Sequence, residues 1–117
     1  MKTIIIAEAG VNHNGNIETA KKLIKKAAEA GADFVKFQTF KADSLVSKKA
    51  KKAKYQLSTE NRDEKDQYTM LKKLEIPIEW YSILINCCKK NGIKFVSTGF
   101  DEKSIDYLDS LNMSYFK

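Results

Sequence analysis

The sequence predicts an α/β protein built on a parallel sheet, and three observations carry that expectation. Short apolar-rich runs alternate with segments of helical periodicity. The segment between the first two runs is long enough for a helical crossover and too long for a hairpin. Each predicted strand ends in polar residues: Glu8, Gln38, Ser97 with Thr98, and Lys117. In α/β folds, ligands bind at the carboxyl ends of the strands.

The elements follow in order. Residues 4–9 form the first strand, with Ile4, Ile5 and Ile6 expected to make it a buried one. Asn16 is placed to cap a helix running to about residue 30, with Ile17, Ala20, Leu23, Ile24, Ala27 and Ala28 at its apolar positions. Gly31 fits the position just past that helix. Residues 34–39 form the second strand. Residues 41–75 read as a long excursion with one or two short helices: lysine-rich, then polar over 58–64, then apolar at Tyr68, Met70, Leu71 and Leu74. Long connections are often functional lids, and this one leaves from the polar strand ends. Pro77 suits the first turn of the next helix. Trp80, Ile83, Leu84 and Cys87 mark its expected buried stripe, and Gly92 ends it. Residues 94–98 form the third strand. Ile105, Leu108 and Leu111 mark a helix beginning near Asp101 or Glu102, and residues 114–117 look like the opening of a fourth strand. Such alternation argues for right-handed crossovers between parallel strands.

Composition bounds the rest. At 117 residues the chain has room for one domain and one core. No run approaches the roughly 18 apolar residues of a membrane span. The N-terminal apolar run is too short for a signal peptide, so a cytoplasmic location and no membrane partner are expected. Cys87 and Cys88 are adjacent and read as small packing residues rather than a disulfide framework. His13 is the only histidine, so no histidine cluster forms within the chain. The net charge is +6, and five lysines fall within residues 48–54. Such a cluster reads as a solvated helix or loop, a mobile basic flap that attracts anions, or a nucleic-acid contact. No nucleic-acid motif accompanies it, so nucleic acid is not expected as a partner.

The polar residues inside the strands are the functional signal. Charged side chains are rarely fully buried unless paired or binding something. Side chains two apart share a face of a strand, so Ile4, Ile6 and Glu8 line one side, and Phe34, Lys36 and Gln38 line one side of the next strand. Where those sides meet, a carboxylate, an ammonium and an amide converge, which suits an anionic substrate with further polar groups. Blander readings stand beside this one. Glu8 and Lys36 can be a plain ion pair, Asn12 and His13 can satisfy a turn, and Ser97 and Thr98 can be ordinary strand-end residues.

Four motifs in series, AEAGVNHNG, GADFVKFQTFKADSL, FVSTGFD and SYFK, resemble the N-terminal half of the barrel in sialic acid synthases. This is the N-acetylneuraminate synthase family, with the legionaminate and pseudaminate synthases as relatives. The resemblance runs over nearly the whole chain and is weakest at 55–75. It implies a (β/α)8 barrel, of which residues 1–117 would supply roughly three βα units and the start of a fourth strand. It also implies an enzyme that condenses phosphoenolpyruvate with N-acetylmannosamine or a related sugar, giving N-acetylneuraminate or a related nonulosonic acid and phosphate. In the family a divalent metal, Mn2+ or Mg2+, polarises the open-chain aldehyde, and C3 of phosphoenolpyruvate attacks it. Water adds at C2, and phosphate leaves by C–O cleavage.

Carried over by position, the resemblance places Glu8 near the metal and sugar hydroxyls, as the catalytic carboxylate holding metal-bound water. It places Lys36, Thr98 and Lys117 on phosphoenolpyruvate, and Gln38 on the sugar or the metal-bound water. Asn12 and His13 match the NHNG signature and are further substrate-binding candidates. The family's metal ligands and its antifreeze-like domain, through which a homodimer is expected, correspond to positions beyond residue 117. The chain matches roughly a third of a family member. The family usually has Pro where this chain has Gly99, which is expected to loosen the turn after the third strand. The alternative is a non-catalytic truncated or split-gene fragment that associates with a complementary chain.

Overall fold

The computed structural model describes residues 1–45 and 60–117, with side chains from residue 67 onward in the helix that begins at residue 60. The elements are β1 (Ile6–Gly10), α1 (Ile17–Glu29), β2 (Phe34–Thr39), α2 (Ala42–Leu45), α3 (Glu60–Leu74), α4 (Ile78–Lys90), β3 (Lys94–Gly99) and α5 (Glu102–Ser110). The lysine cluster at 48–54 lies outside the described residues. The strands form one sheet in the order β1-β2-β3, and both pairs are parallel.

Local sequence explains the boundaries. Asn16 accepts from the backbone N–H groups of Glu18 (2.8 Å) and Thr19 (3.1 Å) and so caps α1. Past its end, Gly31 adopts a φ of 84°, a conformation that favours glycine. Asp101 caps α5 by accepting from the Ser104 N–H at 2.8 Å. Pro77 stands immediately before the first residue of α4.

The register sorts the side chains. Ile6 lies opposite Phe34 and Glu8 opposite Lys36; Lys36 lies opposite Val96 and Gln38 opposite Thr98. One face of the sheet sends Ala9, Val35, Phe37 and Phe95 into a core with Ala20, Ile24, Ala27, Tyr81, Leu84, Cys88 and Leu108 from the helices. The other face carries Glu8, Lys36, Gln38 and Thr98 by the same alternation.

Four expectations change. Ile4, Ile5 and Ile6 are about half exposed rather than buried: Ile4 and Ile5 precede β1, and β1 is an edge strand of the described sheet. The buried stripe of α4 is Tyr81, Leu84 and Cys88. Ile83 is exposed, while Trp80 and Cys87 only flank the core. Residues 114–117 form no strand. Asn112 turns the chain with a φ of 55°, and Tyr115 packs edge-on against Phe34, ring centroids 5.1 Å apart. This segment therefore lies across the open face instead of extending the ladder. Finally, Gly99 is not slack: a Cβ there would sit 2.7 Å from Ile105 Cγ1 and 3.2 Å from its backbone N. The missing side chain lets α5 pack tightly on the end of β3.

Two carboxylates fix the root of the excursion. Glu75 accepts from Lys41 Nζ (3.1 Å), the Ala42 N–H (3.1 Å) and Lys72 Nζ (3.2 Å). Asp101 accepts from the Lys41 N–H at 2.9 Å, which ties the loop after β2 to the start of α5. Burial alone would push both carboxyls up, but these donors together outweigh it and hold both below their ordinary values. Such groups contribute stability that is complete above the ordinary carboxylate values, 4.5 for Glu and 3.8 for Asp, and is lost as pH falls through the lower folded values. Glu75→Ala should therefore cost about 2–3 kcal/mol at pH 7, since it strands a buried N–H and loses two charge-assisted bonds. Urea unfolding measures this. The deficit relative to wild type should shrink in acid, and a constant deficit down to pH 2 would contradict the account.

Candidate active site

The polar face has a single strongest contact. Lys36 Nζ lies 2.7 Å from Glu8 Oε2, with the Lys36 side chain 12% exposed and that of Glu8 49% exposed. The Glu8 carboxylate outweighs burial and raises the Lys36 pKa above its ordinary value. Lys36 therefore stays a cation in a mostly dry setting. A cavity of about 440 Å³ is lined by Ile6, Glu8, Lys36, Val96, Tyr115, Phe116 and Lys117. Lys117 thus reaches the same cavity as Glu8 and Lys36, in an irregular segment rather than a fourth strand.

Gly10 shapes the far side of this cluster. The β1–β2 register shifts between Glu8 and Gly10, and Gly10 has a φ of 55°. A Cβ at Gly10 would lie 3.2 Å from Glu8 Oε1 and 3.6 Å from Gln38 Nε2. The backbone therefore passes directly beside both polar groups, as bulges near functional sites do. Gln38 and Thr98 are cross-strand neighbours. Thr98 Oγ1 is buried and has no hydrogen-bond partner among the described residues. A buried hydroxyl without a partner is costly unless a ligand or water completes it. Four candidates, Glu8, Lys36, Gln38 and Thr98, therefore share one open face.

Asn12 and His13 are built differently. Asn12 is exposed in the turn after β1, where its N–H donates to the Ala9 carbonyl at 3.0 Å. His13 is fully buried between Phe37 and Trp80, with ring centroids 6.3 and 6.0 Å away. Phe37 belongs to the helix-covered face, so the structure does not bring His13 to the polar face. Its Nδ1 accepts from the Gly15 N–H at 3.0 Å, which puts the ring proton on Nε2. Gly15 is held tightly in turn: a Cβ there would meet the Lys73 carbonyl oxygen at 2.5 Å. The NHNG segment is thus a turn whose histidine braces it and whose glycine lets α3 approach. Ser97 also faces the helices, where it meets Thr39.

Among the described residues no group of three His, Cys, Asp or Glu side chains could hold a metal ion. Glu8 is the carboxylate of the cluster, and it is engaged by Lys36. The described residues thus do not fit a metal centre of their own. Sequence reasoning missed Gly10 and Glu75. The signal for Gly10 was its place two residues after a strand carboxylate; Glu75 carried none, because its partners come from distant loops.

A parallel sheet with helices on one face and polar groups gathered at the strand ends of the other is the arrangement of a segment of an α/β barrel. The chain belongs to the NeuB family, whose profile matches residues 23–117. It is 55% identical over 116 residues to the N,N'-diacetyllegionaminic acid synthase of Campylobacter jejuni, covering 99% of this chain and 34% of that protein. It is 52% identical to the Legionella pneumophila enzyme of the same name, covering 100% of this chain and 33% of that protein. The chain therefore spans about a third of the length of these curated relatives. Its fold matches the N-acetylneuraminic acid synthetase of Leptospira borgpetersenii with a TM-score of 0.77 at 24% identity, over 97% of this chain and 35% of that one. It is thus the N-terminal part of such a barrel.

The buried histidine gives a test of the turn. Burial lowers the His13 pKa below its ordinary 6.5. Stability from the neutral ring is complete above 6.5 and is lost as pH falls from there toward the lower folded value. The urea midpoint should therefore fall between pH 7.5 and 5 in wild type, and that part of the slope should flatten in His13→Gln. Identical slopes in the two proteins would contradict a neutral buried imidazole.

Proposed function

We propose that this chain is the first part of a synthase barrel that condenses phosphoenolpyruvate with an N-acetylated sugar, N-acetylmannosamine or a relative. The products are a nonulosonic acid, N-acetylneuraminate or a related acid, and phosphate. The observation that carries the reading is the Lys36–Glu8 pair on the open face, flanked by Gln38 and an unpartnered Thr98 hydroxyl. Lys36 serves phosphoenolpyruvate, because a compact ammonium suits a phosphate or carboxylate. A substrate anion would take over from Glu8 as the partner of Lys36. That exchange leaves the Glu8 carboxylate available to a sugar hydroxyl. Thr98 completes its hydrogen bonding on phosphoenolpyruvate, and Gln38 orients the sugar. Lys117 adds a second cation to the cavity. The divalent metal and the homodimer contacts belong to the remainder of the full-length enzyme.

The sugar is favoured to be of the legionaminic type. Relatives named for N,N'-diacetyllegionaminic acid are 55% and 52% identical, and those named for pseudaminic acid are 30% and 33% identical.

In the full-length enzyme, Lys36→Met should lower kcat/KM for phosphoenolpyruvate roughly a hundredfold or more, with an unchanged circular dichroism spectrum. Unchanged kinetics would reduce Lys36 to an ion-pair partner. The purified 117-residue chain should form no nonulosonic acid from N-acetylmannosamine, phosphoenolpyruvate and Mn2+. Product from that chain alone would refute the need for the later strands. Activity restored by adding a second chain that carries those strands would favour a split enzyme.

A further inference from the structure

We infer that the hydroxyls of Tyr81, Thr39 and Ser97 form a positioning network that fixes the carboxyl ends of β2 and β3, and with them Gln38 and Thr98. The inference rests on the synthase reading for its kinetic consequence, though not for its geometry.

Tyr81 donates from its hydroxyl to Thr39 Oγ1 at 2.8 Å, and Thr39 Oγ1 lies 2.7 Å from Ser97 Oγ. The three residues are 2%, 5% and 1% exposed, so the network is dry. Its tie between the strands is diagonal. In the ladder Thr39 stands opposite Gly99, and Ser97 stands opposite Phe37. The Thr39–Ser97 bond therefore crosses behind the Gln38–Thr98 pair, with one member just after Gln38 and the other just before Thr98. The Thr39 carbonyl also accepts from the Phe100 N–H at 3.0 Å, which holds the chain as it leaves β3.

The front of the sheet gives Thr98 no comparable anchor, since its Oγ1 has no partner among the described residues. Its position is set through its backbone, and the backbone is set from behind. Tyr81 is itself fixed edge-on against Phe95 and Tyr107, with ring centroids 6.2 and 5.0 Å away. Burial pushes its pKa up to about 12, so it remains a hydroxyl donor over the working pH range. Hydrogen bonds in such a low-dielectric setting hold geometry firmly. A displacement of about 1 Å at a reacting centre can cost a hundredfold in rate.

The test uses the full-length enzyme with Thr39→Val, Thr39→Ser and Tyr81→Phe. Two quantities are read: amide exchange at Thr98 and Phe100, and kcat and KM for phosphoenolpyruvate. Thr39→Val should speed exchange at both amides and lower kcat/KM roughly tenfold or more, and Thr39→Ser should restore both. Tyr81→Phe leaves the Thr39–Ser97 bond in place and should show the same changes in weaker form; it carries the test if Thr39→Val does not fold. Wild-type kinetics in Thr39→Val, or in Tyr81→Phe where Val does not fold, would overturn the inference. So would a loss that Ser does not rescue. Faster exchange in the variants of a wild type that makes no nonulosonic acid would support the tie and overturn only the synthase reading.

Discussion

The parallel register that sets Glu8 beside Lys36 and Gln38 beside Thr98 is the constraint from which the polar face follows. Because side chains alternate along each strand, the same register sends Val35, Phe37 and Phe95 under the helices. A slip of one residue would bury Lys36 in that core and expose Phe37. The apolar face therefore enforces the polar one. Packing of the apolar face against the helices thereby fixes where the Lys36 ammonium sits. Glu8 compensates the charge and is itself half exposed.

The carboxyl end of the sheet is braced from several sides, and the braces do different things. Glu75 and Asp101 gather the loop after β2 through Lys41 and Ala42. His13 closes the turn after β1 and supports Gly15 where α3 approaches. The Tyr81, Thr39 and Ser97 hydroxyls join the helix layer to two strand ends. None of these groups is on the polar face. They tie the strand ends and loops behind that face to the helix layer.

Much of this was legible in the sequence, for local reasons. The β1–α1–β2 order, the Asn16 cap and the turn at Gly31 follow from residue types at fixed offsets. Period-two alternation was enough to place Glu8, Lys36 and Gln38 on one face. What escaped depended on partners far along the chain. The α4 stripe centres on Tyr81 and Cys88 because Phe95 and Tyr107 receive Tyr81, and a helical wheel cannot see them. His13 looked like a site residue because it sits in a polar motif; the aromatic pair that buries it comes from β2 and α4. Residues 114–117 carry a strand-like pattern, but the Tyr115–Phe34 contact draws them across the sheet. Gly99 looked like slack in a turn, and only the position of Ile105 shows that it makes room for α5.

If one face of this sheet receives the anionic substrate, a crystal structure of the full-length enzyme with phosphoenolpyruvate bound should show a phosphate or carboxylate oxygen within hydrogen-bond distance of Lys36 Nζ. It should also show a second contact from the Thr98 hydroxyl, and Glu8 released from its 2.7 Å contact with Lys36. Phosphoenolpyruvate bound elsewhere, with the Glu8–Lys36 pair intact and Thr98 still without a partner, would contradict it.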